Sequence, residues 1–167
     1  MAKAIIISGK INSGKTSFLS DLSRSFEKRK TTGFLSNKKI SKNKRTYYLN
    51  FINKAKKLRI AIVDERKKEA AFVDKNFKLA REKILKEIES KDIVFIDEFG
   101  FLEFNKGGHF ELIRELSEKF KGIVILSSRK ELARAIKRMF KYEKAEIFEE
   151  FNLEKVKNLI ELWQNWK

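Results

Sequence analysis

The chain has 167 residues, enough for one domain with a substantial core, and pairs 42% hydrophobic with 37% charged residues, which describes a folded, heavily solvated protein and not a disordered one. It has no cysteine and a single histidine, His109, which excludes disulfides, thiolate metal sites, cysteine nucleophiles and multi-histidine metal centres and leaves one base for any Ser-His-Asp hydrolysis. The 39 Lys/Arg exceed the 23 Asp/Glu by 16; 12 of those cations and no acid lie between Lys28 and Arg59, while the other 27 face all 23 acids and leave +4.

The basic stretch reads either as a surface that attracts polyanions (nucleotides, nucleic acid, acidic lipid) or as a solvated lysine-rich face, and lysine is frequent elsewhere too. Proline is absent and glycine scarce, so Pro/Gly-rich linkers are missing; no repeat stands out, and residues 1–167 are expected to form one domain. The apolar run at the N-terminus, Ala4 to Ser8, is too short for a signal-peptide core or a membrane span. The expected setting is cytoplasmic, with no membrane.

Ala4 to Ser8 reads as a buried strand. Gly9-Lys10-Ile11-Asn12-Ser13-Gly14-Lys15-Thr16 follows it and fits G-x-x-x-x-G-K-[ST], the phosphate-binding loop. Each part has a physical task. Glycines let the backbone wrap a phosphate with inward N–H groups, and the helix that follows aims its positive end at the same anion. Lys15 would place an ammonium on the β- and γ-phosphates, and Thr16 would offer a hydroxyl to Mg²⁺. The expected nucleotide-binding set is Gly9, Lys10, Ile11, Asn12, Ser13, Gly14, Lys15, Thr16 and Ser17. Lys10 lies near the loop but is expected at the surface. The helix should span Thr16 to Lys28, with Phe18, Leu19, Leu22 and Phe26 on one face.

Gly33 to Ser36, Thr46 to Asn53 and Leu58 to Val63 read as strands, with a polar turn over Asn37 to Lys44. Together they suggest an antiparallel ribbon over about 31–63. Tyr47, Tyr48 and Phe51 within it are either one face of the core or stacking groups for bases. After Asp74, Phe77, Ala80, Ile84 and Ile88 share a helical face up to Ser90.

Asp92 to Glu98 is a buried strand ending in two acids. Asp97 would hold Mg²⁺ through water at the carboxyl edge of the sheet. Glu98 would orient and deprotonate an attacking water, so the acid pair favours hydrolysis. Glu103, further along, would bind metal, contact a phosphate-side group or form a loop salt bridge. Gly107-Gly108-His109 marks a loop in which His109 is expected to be exposed and not a catalyst. Phe110, Ile113, Leu116 and Phe120 mark another helix, and Gly122 to Leu126 a second buried strand ending in Ser127-Ser128-Arg129. One of the serines is expected to sense the γ-phosphate. Arg129 would neutralise developing charge, or these residues would cap the next helix. Leu132, Ile136, Met139 and Phe140 mark that helix, Ala145 to Phe148 a strand, and Asn152 the cap of a last helix with Val156, Leu159, Ile160 and Trp163. Apolar strands alternating with helices indicate an α/β protein: a three-layer sandwich with a mainly parallel central sheet, flanked by helices and extended by the ribbon.

The chain resembles the small P-loop nucleoside-triphosphatases first recognised in hyperthermophiles, which have a human cancer-related relative. The resemblance spans nearly the whole chain. It rests on Gly9 to Thr16, Thr32-Gly33-Phe34, the stretch Phe95 to Glu103, Gly107-Gly108 and Ile123 to Ser128; Asp97, Glu98, Gly100 and Glu103 match I-D-E-x-G-x-[ML]-E. It implies slow Mg²⁺-dependent hydrolysis of ATP, GTP and other nucleoside triphosphates to diphosphates, with Asp97 as the metal-side acid, Glu98 as the base, a strand-end sensor at Ser127 or Ser128, and a monomer. Two departures stand out. Ile11-Asn12 replaces the usual Pro-Gly, and Asn37-Lys38-Lys39 replaces a stretch that usually carries an acid and an arginine, which puts base or substrate selectivity in doubt. Two alternatives stay open: a nucleoside or nucleotide kinase, and a nucleic-acid-binding ATPase that uses the basic segment 28–59.

Overall fold

The computed structural model describes residues 1–165. Eight strands form one sheet: β1 (Lys3–Gly9), β2 (Thr31–Ser41), β3 (Lys44–Phe51), β4 (Lys57–Asp64), β5 (Glu69–Phe72), β6 (Ile93–Phe99), β7 (Ile123–Arg129) and β8 (Lys144–Phe148). The helices are α1 (Lys15–Arg24), α2 (Asp74–Glu87), α3 (Phe101–Phe104), α4 (Phe110–Lys119), α5 (Ala133–Met139) and α6 (Leu153–Gln164). The strand order is β5-β4-β3-β2-β6-β7-β1-β8. The five strands from β2 to β8 in that order run parallel, and β2 through β5 form an antiparallel ribbon on one edge.

The parallel strands are buried on both faces because their side chains alternate between two cores. Ile6, Val94, Ile96, Val124 and Leu126 pack with Ala80 and Ile84 of α2, Leu112 and Leu116 of α4, and Ile136 of α5. Ile5, Ile7, Ile93, Phe95 and Ile125 pack on the other side with Phe18, Leu19 and Leu22 of α1 and Val156, Ile160 and Trp163 of α6. The helix-face patterns read from the sequence place these contacts correctly. Asn152 caps α6 as expected, its side chain accepting the Lys155 N–H at 2.9 Å.

Several boundaries differ from expectation. The helix expected to reach Lys28 ends at Arg24, with a short 3₁₀ turn at Lys28–Lys30. The polar turn expected over Asn37 to Lys44 is almost all strand: β2 continues to Ser41, β3 begins at Lys44, and only two residues turn, with Lys42 at φ 46°. Residues 37–41 are exposed, so no apolar alternation marks them; the ladder to β3 alone makes them a strand. The ribbon is therefore not an appendage. β2 pairs with β6 from Thr31 to Phe34 and then carries on, held by β3, past the carboxyl edge of the parallel sheet. β5 and α3 carry too few patterned residues to be read from sequence.

Gly33 is where that continuation is anchored. Its φ of 126° favours glycine, and a Cβ there would sit 2.0 Å from the Phe95 carbonyl oxygen. Backbones this close fix the register of β2 against β6.

Candidate functional site

The order β6-β7-β1 puts the phosphate loop and the acid pair at the ends of two strands separated by one. Their carboxyl ends converge with that of β7, and ligands bind such edges. The loop from Gly9 to Gly14 leads straight into α1, and Ile11, Asn12, Ser13 and Gly14 are exposed. Gly14, at φ 90°, makes the reversal into the helix. No side chain caps the start of α1 and no acid lies in its first turn. The first N–H groups, those of Lys15, Thr16 and Ser17 among them, are thus left for an anion.

Lys15 folds back over the loop, its ammonium donating to the Gly9 carbonyl at 3.1 Å and the Lys10 carbonyl at 2.6 Å. Burial lowers its pKa, the Arg129 charge adds to that, and Glu98 and Asp97 oppose it. Lys10 itself is exposed, as expected.

Asp97 joins three elements. Its Oδ2 accepts the Thr16 hydroxyl at 2.7 Å and the Ser36 N–H at 2.9 Å, while its Oδ1 accepts the Ser127 hydroxyl. Burial pushes its carboxyl up; the three donors and the Lys15 charge pull the other way. Thr16 spends its proton on Asp97, so the hydroxyl lone pairs remain for a cation. That arrangement fits Mg²⁺, which prefers hard oxygen donors and usually takes one or two carboxylates together with substrate phosphates in place of a cage of side chains. No group of three or more His, Cys, Asp or Glu among the described residues could hold a metal.

Glu98 sits on a bulge. The β6–β7 register shifts between Ile96 and Phe99, and Glu98 adopts φ 77°, an uncommon conformation for a residue other than glycine. The bulge turns an exposed carboxylate out at the strand end, and no hydrogen bond among the described residues ties it down. Surrounding protein atoms and the adjacent Asp97 charge raise its pKa, against Arg129, Lys15 and Lys38.

Ser127 is buried. Its hydroxyl donates to Asp97 and accepts the Glu98 N–H at 2.8 Å, which replaces the ladder bond lost at the bulge. The strand-end hydroxyl thus contacts both members of the acid pair. Ser128 faces away, its hydroxyl donating to the Arg129 carbonyl at 3.1 Å. The capping alternative is not realised, because no side chain caps the turn after β7 or α5. Arg129 lies over the Phe101 ring at 5.0 Å, has a buried Nε without a partner, and acts electrostatically on both Glu98 and Lys15.

Two expectations are corrected. Glu103 makes no ion pair among the described residues; its buried carboxylate accepts the N–H groups of Gly100 at 3.0 Å and His109 at 3.2 Å and so ties the loop after β6. His109 is not exposed. It is buried between Phe34 and Phe77, ring centroids 4.5 and 4.8 Å away, with both ring nitrogens unpaired. The glycine pair before it hid a packing role that no periodicity announces.

Of the three ribbon aromatics, Phe51 lies in the core, Tyr48 is half-buried beneath the Lys57 ammonium at 4.0 Å, and Tyr47 is half-buried. Two residues at the site were given no role from sequence, although Lys38 lies in the departure at Asn37-Lys38-Lys39. Ser36 donates its N–H and its hydroxyl to Asp97, and Lys38 donates to the Asn12 side chain at 3.0 Å. Their signal was the polar pair two and four places beyond Phe34, on the strand that passes the sheet edge.

A family model described as NTPase matches residues 4–160. Among solved structures, the fold is similar to that of THEP1 from the hyperthermophile Aquifex aeolicus, with a TM-score of 0.68 at 19% identity over 95% of this chain and 99% of that one. It is also similar to a human cancer-related nucleoside triphosphatase, with a TM-score of 0.67 at 15% identity over 99% of this chain and 100% of that one. No curated protein matches the chain. No helix among the described residues is long and apolar enough to cross a membrane.

Proposed function

The chain belongs to the NTPase family, and from that premise we propose that it is a nucleoside-triphosphate phosphohydrolase that cleaves ATP, GTP and related triphosphates to diphosphate and inorganic phosphate with Mg²⁺. The observation that carries this reading is the Thr16–Asp97 hydrogen bond, which binds the phosphate loop to an acid pair whose second member is free. The loop N–H groups hold the β-phosphate. Lys15 leaves the carbonyls of Gly9 and Lys10 for the β- and γ-phosphate oxygens. Thr16 and Asp97 would hold Mg²⁺, which when bound would neutralise phosphate charge. Glu98 takes a proton from a water as that water's oxygen attacks the γ-phosphorus; the bond to the β–γ bridging oxygen breaks and its electrons leave with the diphosphate. Arg129 adds positive charge on the Glu98 side. The groups assigned to the cradle address phosphates, which every nucleoside triphosphate carries, and this supports use of several nucleotides.

Phosphate release from ATP, GTP, CTP and UTP, measured beside Glu98→Gln, tests this. Slow release from several nucleotides that falls by about 100-fold or more in the variant, with binding retained, is expected. Transfer to an added acceptor in place of water would instead indicate a kinase.

A second reading, a nucleic-acid client, is favoured by the exposed cationic ribbon that rises from the nucleotide edge. RNA-stimulated release that disappears at high salt would support it.

A further inference from the structure

Phosphoryl transfer through a loose transition state needs positive charge where negative charge accumulates: on the γ-phosphate oxygens and on the bridging oxygen that leaves. Lys15 is one such cation. A second cation touches the loop, and it comes from outside the motif.

β2 passes the carboxyl edge of the sheet beside the acid pair. Phe34 pairs with Ile96, and the Ser36 N–H bonds Asp97, so Lys38 stands one strand repeat above the acids. Its ammonium reaches across to the tip of the phosphate loop and donates to Asn12 Oδ1 at 3.0 Å. Asn12, at φ 59°, is the residue that turns the loop tip. The contact is made to a neutral amide, and no carboxylate among the described residues pairs with Lys38. The Lys38 charge is also felt at Glu98 from this side, as that of Arg129 is. A γ-phosphate held by the loop, with its attacking water at Glu98, must lie between the loop tip and the acid. Lys38 touches one and acts on the other.

We propose that Lys38, delivered in cis by the basic ribbon, is a catalytic residue that transfers from Asn12 to the γ-phosphate and leaving oxygens and stabilises their charge in the transition state. This rests on the hydrolase reading. It gives one part of the lysine-rich segment a task in chemistry, and it requires no second subunit to supply a finger.

The test compares Lys38→Ala and Lys38→Arg with Lys39→Ala, a neighbour whose side chain alternation sends it to the other face of β2. Two quantities are read: steady-state phosphate release with Mg·ATP, and affinity for Mg·ADP with and without aluminium fluoride, a mimic of the transferring phosphoryl group. Lys38→Ala is expected to lower kcat by about 100-fold, to lose a similar factor of the affinity that fluoroaluminate adds, and to bind Mg·ADP within about threefold of wild type. Lys38→Arg is expected to recover most of both losses, and Lys39→Ala to resemble wild type. Turnover within threefold of wild type in Lys38→Ala, or an equal loss of ADP and fluoroaluminate affinity, would overturn the assignment. A wild type that releases no phosphate yet binds fluoroaluminate through Lys38 would refute the hydrolase reading and leave the charge role standing; one that binds neither would end both.

Discussion

His109 offers a test of the core that is independent of nucleotide. Its ring lies between Phe34 and Phe77, buried, with neither nitrogen paired. The nearby carboxylate, on Glu103, accepts the His109 backbone N–H and not a ring proton. Burial alone lowers the imidazole pKa from 6.5 to about 3. Below pH 6.5 the unfolded chain takes up a proton that the native state refuses until about pH 3. Stability is therefore full above neutrality and is lost as pH falls through 6.5. Integrated from pH 8 to pH 5, this single group costs about 2 kcal/mol. With a urea m-value of about 2 kcal/mol/M, the midpoint gap between wild type and His109→Leu should change by about 1 M across that range, in favour of the variant at low pH. All other titrations are common to both proteins and cancel. The chain has one histidine, so its imidazole proton resonance is also unambiguous by NMR and should not titrate in the folded protein above pH 5. Parallel pH profiles, or an ordinary titration near 6.5, would refute the buried neutral ring.

Gly33→Ala should lower stability by more than about 2 kcal/mol, because the new methyl meets the Phe95 backbone at a φ that disfavours it; an unchanged melting curve by circular dichroism would contradict the close approach of β2 to β6. Ser127→Ala leaves the Glu98 N–H and an Asp97 oxygen without their partner. It should cut kcat by about 10-fold while nucleotide affinity holds, with partial recovery in Ser127→Thr; a loss confined to affinity would return Ser127 to direct phosphate contact.

What the sequence made legible was what is local. The phosphate loop occupies eight consecutive residues, and the strand before it and the amphipathic helix after it carry their own periodicity. Asp97 and Glu98 follow four apolar residues, which places them at a strand end without any knowledge of neighbours. What was not legible depends on contacts across the sheet. The contacts of Ser127 depend on the bulge at Glu98, which nothing in Asp-Glu-Phe signals and which supplies the hydroxyl with both a donor and an acceptor. Glu103 and His109 were read as loop residues because glycines flank them; tertiary packing buries both. The basic segment was read correctly as strands but separated by too long a turn, since an exposed lysine-rich hairpin has no hydrophobic alternation to show.

That hairpin and the edge that carries the acid pair are one mechanical unit, and Gly33 is the joint. Side chains on β2 alternate and rise by about 3.3 Å per residue. A one-residue slip against β6 would take the Ser36 N–H off Asp97 and turn Lys38 to the opposite face; a two-residue slip would bring Ile40 or Ser36 to the place opposite Asn12. The burial of Phe34 in the core resists the first, which would turn that side chain to the other face. The absence of a side chain at Gly33, with the Phe95 carbonyl filling its place, resists the second, since Leu35 or Thr31 moved there would clash. A structural glycine in the parallel sheet thus sets the reach of a lysine beyond its edge. If Lys38 acts on the phosphates, partly folded Gly33 variants should lose turnover in proportion to the register lost at Ser36 and Lys38, even where the phosphate loop remains intact.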